Sequence, residues 1–334
     1  MMKSRLALVT GATGSVGAQI VRALDDSGYG VRVLALDPPT ADLRPFITEM
    51  QLGDITDLAT VNRAMEDVQG VIHLAALLHI VNPLPALKAK YERINVGGTK
   101  NVMDAALRQE VKRIVFFSTI AVYGNSNGTV LTEESEPHPD TLYATTKLAA
   151  ERVVLEACSA EHQPIGTVLR MGAIYGARIK GNYLRLVQSL ARGHFISIGN
   201  GLNRRTLVYE RDAADAALLA LEHPAAAGRV YNVSDGQFHT LNQIMVAMCA
   251  ALGRTPPRWV MPAVPARVAA GVIEDTLKLI GKRSSIGRST VDKFTEDIAV
   301  SSMRIQSELG FVSKYDLAAG WRETVAEMKR LGEV

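Results

Sequence analysis

The most constraining stretch lies near the N-terminus, where the mostly apolar run Leu6-Ala7-Leu8-Val9-Thr10 passes directly into Gly11-Ala12-Thr13-Gly14-Ser15-Val16-Gly17. A short apolar run bounded by glycines reads as a strand. Ile20, Val21, Ala23 and Leu24 ahead of Ser27-Gly28 read as the buried face of a helix and its stop. A strand that turns through glycines into a helix can lay its backbone against a pyrophosphate, with free N–H groups and the positive end of the helix dipole facing the anion. The chain therefore starts with the first unit of a parallel, dinucleotide-binding sheet.

The alternation continues. Val31–Leu36 is the second expected strand, Met50-Gln51-Leu52 a third that closes on Gly53-Asp54-Ile55, Val71–Ala76 a fourth and Val111–Phe117 a fifth. Helices are expected over about 58–68, opening at Asn95-Val96-Gly97-Gly98-Thr99, and around Tyr143. Such alternation predicts a doubly wound α/β sheet, parallel and covered on both faces, of the Rossmann kind. Ligands bind such sheets beyond the carboxyl ends of the strands. The glycine turn, Ala75-Ala76 and Ser118-Thr119 all fall at that edge. Asp37, just past the second strand, is the expected ribose-binding carboxylate, and the absence of a basic residue at Leu36 and Asp37 favours NAD over NADP. His73 reads as a packed strand residue, because no nucleophile or metal partner stands near it in the sequence.

Tyr143-Ala144-Thr145-Thr146-Lys147 puts a phenol and an ammonium four residues apart on one helical face. A free phenol titrates near ~10 and is a poor base at neutrality; a fixed positive charge beside it favours the phenolate. Lys147 is the expected charge, and the hydroxyls of Ser118-Thr119 lie just upstream.

Gly166–Arg170 is a sixth expected strand, after which the chain changes character. Glycines replace the regular alternation, and Arg178, Lys180, Arg185, Arg192, Arg204 and Arg205 accumulate, a pattern that suits an anionic substrate. Val230–Val233 is expected to return to the sheet as a seventh strand, and the chain ends in an amphipathic helix up to Met328. The expected division is a dinucleotide-binding domain over 1–170 with 205–235 returning to it, and a smaller, mostly C-terminal substrate lobe over 171–204 and 236–334.

The chain resembles an extended short-chain dehydrogenase/reductase of the NAD-dependent epimerase/dehydratase group, nearly end to end. The resemblance is carried by Thr10-Gly11-x-x-Gly14-x-x-Gly17, Gly53-Asp54, His73-Leu74-Ala75-Ala76, Asn95-x-x-Gly98-Thr99, Ser118-Thr119-x-x-Val122-Tyr123-Gly124, Tyr143-x-x-x-Lys147 and Arg170-x-x-x-x-Tyr175-Gly176. It implies that Thr119 hydrogen-bonds the reacting hydroxyl and that Tyr143 exchanges its proton. It also implies that Lys147 holds the nicotinamide ribose and lowers the phenol's pKa, with Ser118 beside them. The expected cofactor contacts are Gly11, Thr13, Gly14, Ser15, Val16, Gly17, Asp37, Asp54, Ile55, Leu74, Ala75, Ala76 and Asn95, together with Tyr143 and Lys147; Asp54-Ile55 borders the adenine. Many relatives carry the ribose-binding acid two positions earlier, where this chain has Ala35. Asn182 and Arg205 are implied as substrate anchors, Arg205 gripping a diphosphate.

Relatives that dehydrate or decarboxylate carry an acid just after the catalytic threonine, where this chain has Ile120-Ala121. That points to simple hydride transfer: a nucleotide-sugar 4-epimerase with UDP as carrier, with a 4-keto-sugar reductase or a dehydrogenase of steroid-like apolar alcohols as alternatives. The family also implies a homodimer built on helices near 99–109 and 142–157.

Composition excludes several classes. The 37 basic and 34 acidic residues give a net charge of +3, too balanced to predict a nucleic-acid or membrane-surface protein. Cys158 and Cys249 lie far apart with no Cys/His cluster, so neither a disulfide framework nor a zinc site is expected, and a reducing compartment fits. No run reaches the ~20 apolar residues of a membrane span. A cytoplasmic protein without a membrane partner is the expectation. If Asp37 holds the ribose, Asp37→Ala weakens NAD more than NADP in fluorescence titrations of the reduced cofactors; equal weakening makes it a turn residue only.

Overall fold

The computed structural model describes residues 5–78, 80, 86–193, 195–257, 259–280 and 287–334. A seven-stranded parallel sheet forms the centre. It contains β1 (Arg5–Thr10), β2 (Tyr29–Ala35), β3 (Glu49–Leu52), β4 (Gly70–His73), β5 (Arg113–Thr119) and β6 (Gly166–Met171). The strand Val230–Val233 completes it at one edge, and the spatial order is Val230–Val233, β6, β5, β4, β1, β2, β3. The order reverses between β1 and β4, which opens a crevice at their carboxyl ends. This is the doubly wound architecture that the alternation predicts.

The helices are α1 (Gly17–Asp26), α2 (Leu58–Met65), α3 (Leu87–Tyr91), α4 (Gly98–Arg108), α5 (Leu142–Leu155), α6 (Asn182–Arg192), α7 (Glu210–Glu222), α8 (Leu241–Leu252), α9 (Ala263–Leu279), α10 (Arg288–Thr295), α11 (Met303–Leu309) and α12 (Leu317–Arg330). Strand alternation decides which helix each side chain meets. Ala7, Val9, Val31, Val115, Phe117 and Leu169 face the layer of α1 and α7. Leu8, Leu34, Ile114, Phe116 and Val168 face α2, α4 and α5.

The helix expected to open at Asn95 begins earlier. α3 continues through a π-helical segment, Glu92–Gly97, into α4. Gly97 and Gly98 have helical backbone angles, so they do not break the helix; a Cβ on Gly98 would lie 2.5 Å from the Ile55 side chain, and glycine is there for close packing. π segments often mark functional sites, and here the segment carries the buried Asn95.

Beyond β6 the chain leaves the sheet. α6, α8 and α12 enclose a separate core around Tyr175, Leu190, Met248, Trp321 and Met328. Short pairings of Ala173–Tyr175 with Leu207–Tyr209, Arg204–Arg205 with His239–Thr240, and Ser197–Ile198 with Val260–Met261 tie this region together. Between them α7 and Val230–Val233 go back to the large sheet.

The glycines at the start of α1 are not equivalent. A Cβ on Gly17 would stand 2.4 Å from Ala12 O, a rigid backbone atom, whereas on Gly14 the nearest atom is Gly11 O at 3.1 Å. Gly17→Ala is expected to lower the unfolding free energy by about 1–3 kcal/mol in urea titrations, and Gly14→Ala by less. Equal losses would contradict this packing.

Candidate active site

At the β1–α1 turn, Gly11 has a φ of +74° and passes so close to β4's exit that a Cβ there would lie 2.8 Å from Ala75 N. α1 then starts at Val16 with no side-chain cap and no acid in its first turn, which leaves its leading N–H groups and dipole for an anion. Val16 is buried, Gly14 and Ser15 are half-buried and Thr13 is exposed. A close-packed backbone cradle with an uncapped helix end fits a dinucleotide pyrophosphate. Asp37 is exposed in the bend that follows β2, whose last residue is Ala35. Asp54 is half-buried and accepts from Thr56 N at 2.8 Å, while Ile55 is buried and its carbonyl accepts from Asn101 Nδ2 at 2.9 Å. α4 thus holds the Asp54-Ile55 turn at the sheet edge.

Leu74, Ala75 and Ala76 follow β4 in a non-strand segment held from two sides. Leu74 N donates to Thr10 O at 3.1 Å. Asn95 Oδ1 accepts from Leu77 N at 2.7 Å, and Asn95 Nδ2 donates to Leu77 O at 3.2 Å and to Thr146 Oγ1 at 3.1 Å. Asn95 therefore braces the loop beside the crevice and ties it to α5, through bonds within the protein. His73 is fully buried beneath this loop. Ala75 N donates to Thr10 Oγ1 at 3.3 Å, and Thr10 Oγ1 lies 2.6 Å from His73 Nδ1. His73 Nε2 lies 3.0 Å from Thr99 Oγ1, which donates to Asn95 O at 2.7 Å. Since the Thr99 proton is spent on that carbonyl, Nε2 carries the imidazole proton and Nδ1 accepts from Thr10. Burial, aided by Lys147, lowers the His73 pKa to about 3, so the ring stays neutral and links β1, β4 and α4. The packed-residue expectation for His73 holds.

α5 starts at Thr141, whose hydroxyl accepts from Ala144 N at 3.2 Å, and this cap sets the phase that puts Tyr143 and Lys147 one turn apart. Lys147 is buried, with its ammonium 3.8 Å over the Phe116 ring, and burial lowers its pKa to about 7 against the opposing pull of Glu151. Tyr143 is half-buried, and burial, then the neighbouring Tyr91, push its pKa up to about 12. The expected lowering of the phenol by Lys147 is not found in the protein alone. Loss of hydration in the charged form dominates at both groups, raising Tyr143 and lowering Lys147.

Thr119 and Ser118 part company, because successive strand residues face opposite ways. Thr119 is half-buried and caps Ile120–Tyr123, accepting from Ala121 N at 3.1 Å, so its own hydroxyl proton can be offered to a ligand. Ser118 faces α5 and donates to Glu151. Glu151 is buried and also takes Arg170 Nη2 at 2.7 Å and Arg170 Nε at 3.1 Å on each oxygen. Arg170 Nη1 donates to Tyr123 OH at 2.8 Å, and that hydroxyl donates to Asn232 Oδ1 at 2.9 Å. Burial works against the Arg170 charge, but Glu151 outweighs it and the guanidinium stays ionised. Sequence reasoning missed Glu151. Its signal was an acid one turn beyond Lys147 on the inner face of the same helix.

The two expected substrate residues differ in exposure and in partners. Asn182 is exposed at the start of α6. Arg205 is largely buried: its Nη2 donates to Phe294 O at 3.2 Å and to Lys293 O, and Nη1 lies 3.9 Å from Glu296. Of the other basic residues, Arg204 pairs with Asp297 at 2.6 Å and Arg178 with Asp42 at 3.2 Å. Among the described residues no group of three or more His, Cys, Asp and Glu side chains could hold a metal.

The depressed Lys147 gives a pH dependence. Between its folded value of about 7 and its ordinary 10.5, the unfolded chain keeps a proton that the folded chain has released, so stability rises with pH across that window. Urea unfolding of the cofactor-free protein is expected to show this rise, and Lys147→Met to abolish it. Parallel curves for the two proteins would contradict the burial of the charge.

The family model described as "NAD dependent epimerase/dehydratase family" matches residues 7–234. The N-acetyl-alpha-D-glucosaminyl-diphospho-ditrans,octacis-undecaprenol 4-epimerase of Escherichia coli O157:H7 is 30% identical over 321 residues, 95% of this chain and 93% of that one. The UDP-glucose 4-epimerase of Vibrio cholerae is 27% identical, with coverages of 95% and 93%. Among solved structures, MoeE5 in complex with UDP-glucose and NAD superposes with a TM-score of 0.76 at 25% identity, covering 97% of this chain and 99% of that one. The chain belongs to the NAD-dependent epimerase/dehydratase family and is an NAD-dependent enzyme of the extended short-chain dehydrogenase/reductase type.

Proposed function

We propose that the enzyme interconverts C4 epimers of a hexose or N-acetylhexosamine carried on a diphosphate, with UDP as the carrier. The observation that carries this reading is the Tyr143–Lys147 pair on α5 near the end of β5, in a chain with only Ile120-Ala121 after Thr119. A phenol and a hydroxyl suffice to exchange one proton at a carbinol, and no acid follows Thr119 to drive an elimination. NAD⁺, when bound, supplies hydride acceptance and return at C4.

In this reading Tyr143 takes the C4 hydroxyl proton as the C–H bond gives up its hydride, and Thr119 hydrogen-bonds the same oxygen. Lys147 holds the nicotinamide ribose, and its charged form favours the phenolate that burial alone opposes. Ser118 acts from beneath, through Glu151. The 4-keto sugar then turns over and is reduced on its other face, so the sugar is held loosely and its diphosphate tightly. Arg205, already anchored on the carbonyls of Lys293 and Phe294, offers its remaining N–H groups to phosphate oxygens. The substrate lobe comprises 171–204 and 236–334, and α4 with α5 forms the homodimer contact.

A second reading keeps the chemistry and changes the carrier. The Escherichia coli relative is named for a sugar diphosphate on a polyprenol, and an apolar helix face in the substrate lobe suits such a carrier.

Tyr143→Phe is expected to lower turnover by at least ~10², with NADH binding retained. Arg205→Ala is expected to weaken the sugar diphosphate by about 2 kcal/mol and to leave NADH affinity unchanged. A panel of UDP-hexoses should give C4 epimers without net consumption of cofactor. One NAD(P)H used per UDP-4-keto sugar makes the enzyme a reductase, and turnover of an apolar alcohol alone overturns the sugar reading.

A further inference from the structure

One helix of the substrate lobe is built the reverse way from an ordinary surface helix. α9 buries Ala266, Ala270 and Gly271, packing on Val291 and Ile198, and turns its larger apolar residues outward. Val264, Val268, Val272, Ile273 and Leu279 are exposed, Val264 at 74% and Leu279 at 88%. Surface helices normally hide such residues and expose polar ones. Val264, Val268 and Val272 recur at one-turn spacing, so they form a single stripe. Asp275, the acid nearest the stripe, is held by Arg288 at 2.6 Å, and Glu274 also faces Arg288, at 3.7 Å. The face extends past the helix start through Val260–Met261 to Trp259, which is 80% exposed. A continuous exposed apolar surface of this kind marks an interaction site.

Charge selects the partner. From 251 to 283 the sequence has Arg254, Arg258, Arg267, Lys278, Lys282 and Arg283 against Glu274 and Asp275, six minus two, or +4. Arg254 and Lys278 are exposed on the segments flanking the stripe. An apolar stripe with a tryptophan at one end and basic residues at both has the composition of a helix lying in the headgroup layer of an anionic bilayer. A second copy would bring the same positive excess against itself, which disfavours pairing of this face with its own image. α9 has 17 residues, and no helix among the described residues is long and apolar enough to cross a membrane, so the helix lies on the surface.

We propose that α9 and the Trp259–Met261 segment dock this enzyme on an anionic lipid bilayer. The start of the face also walls an open cleft of about 450 Å³, lined by Asn200, Asn203, Val260, Pro262, Ala263 and Thr295. Asn203 Nδ2 donates to Phe294 O at 3.1 Å and to Glu296 O at 2.9 Å, the same turn that holds Arg205. Lipid surface, cleft and Arg205 therefore follow one another, and a sugar diphosphate on a polyprenyl chain is the substrate form that uses all three. This last step rests on the function proposed above; the docking does not.

The test is flotation of the full chain with vesicles of phosphatidylglycerol and phosphatidylcholine, and with phosphatidylcholine alone. The protein is expected to float with the anionic vesicles only, and the Val268→Glu, Val272→Glu double variant to lose binding at least ~10-fold. Both positions are exposed, so the variant should keep its thermal midpoint and its turnover of a soluble UDP-hexose. Flotation reads docking whether or not any UDP-hexose reacts, so its failure is distinct from failure of the epimerase reading. Wild-type protein that stays down with both vesicle types overturns the proposal, as does a variant that floats like wild type. A variant that converts a dimer to a monomer in sedimentation also overturns it, and makes the face a contact between copies.

Discussion

The buried ion pair between Glu151 and Arg170 is the interaction on which the site depends. Glu151 sits one turn past Lys147 on α5, and Arg170 lies on β6, so their hydrogen bonds fix the helix against the sheet at the level of the chemistry. Ser118 adds β5, and Tyr123 with Asn232 carries the network to the edge strand. Two charges so far from water are tolerated only because nearly every lone pair and proton has a partner, and loss of one member costs about 3–5 kcal/mol. The same dryness that makes the pair effective sets the resting states above it. Lys147 is pushed toward neutrality and Tyr143 away from phenolate, so the site alone is unprepared for proton abstraction. A bound oxidised nicotinamide ring would favour the Tyr143 phenolate, and a ribose hydroxyl accepting from Lys147 would favour its ammonium.

A second, uncharged support acts at the carboxyl ends of β1 and β4. The neutral His73, with Thr10 and Thr99, joins two strand ends to a helix, and Asn95 clamps the Leu77 backbone. Both devices place polar residues inside the core to hold irregular backbone, which the crevice needs because Gly11 and Ala75 must pass within van der Waals contact.

Much of this was legible in the sequence, for physical reasons. Short apolar runs ending in glycine or small residues mark buried parallel strands, so the sheet, its order of elements and the glycine turn were readable from spacing. The Tyr143–Lys147 pair was readable from helical periodicity. The opening of a helix at Asn95 was misread because Gly97-Gly98 look like a break, whereas both are helical and Gly98 serves contact with Ile55. Ser118 was grouped with Thr119 because adjacency in sequence hides the alternation that turns one hydroxyl toward α5. The direction of the Tyr143 shift was missed because spacing reports the neighbouring charge and not the loss of water. The expectation of no membrane partner rested on the balanced net charge and on the lack of a spanning run. Whether Val264, Val268 and Val272 face the core or the solvent depends on what packs across α9, and that is fixed only by the folded chain.

The most direct test of the account is the fate of the C4 hydrogen. A UDP-hexose deuterated at C4, incubated with the enzyme and excess unlabelled NADH, is predicted to give both epimers with the deuterium retained at C4, because the hydride returns from the dinucleotide that received it. Loss of the label to the external cofactor pool, or product carrying hydrogen from the added NADH, would contradict transient hydride transfer within one active site.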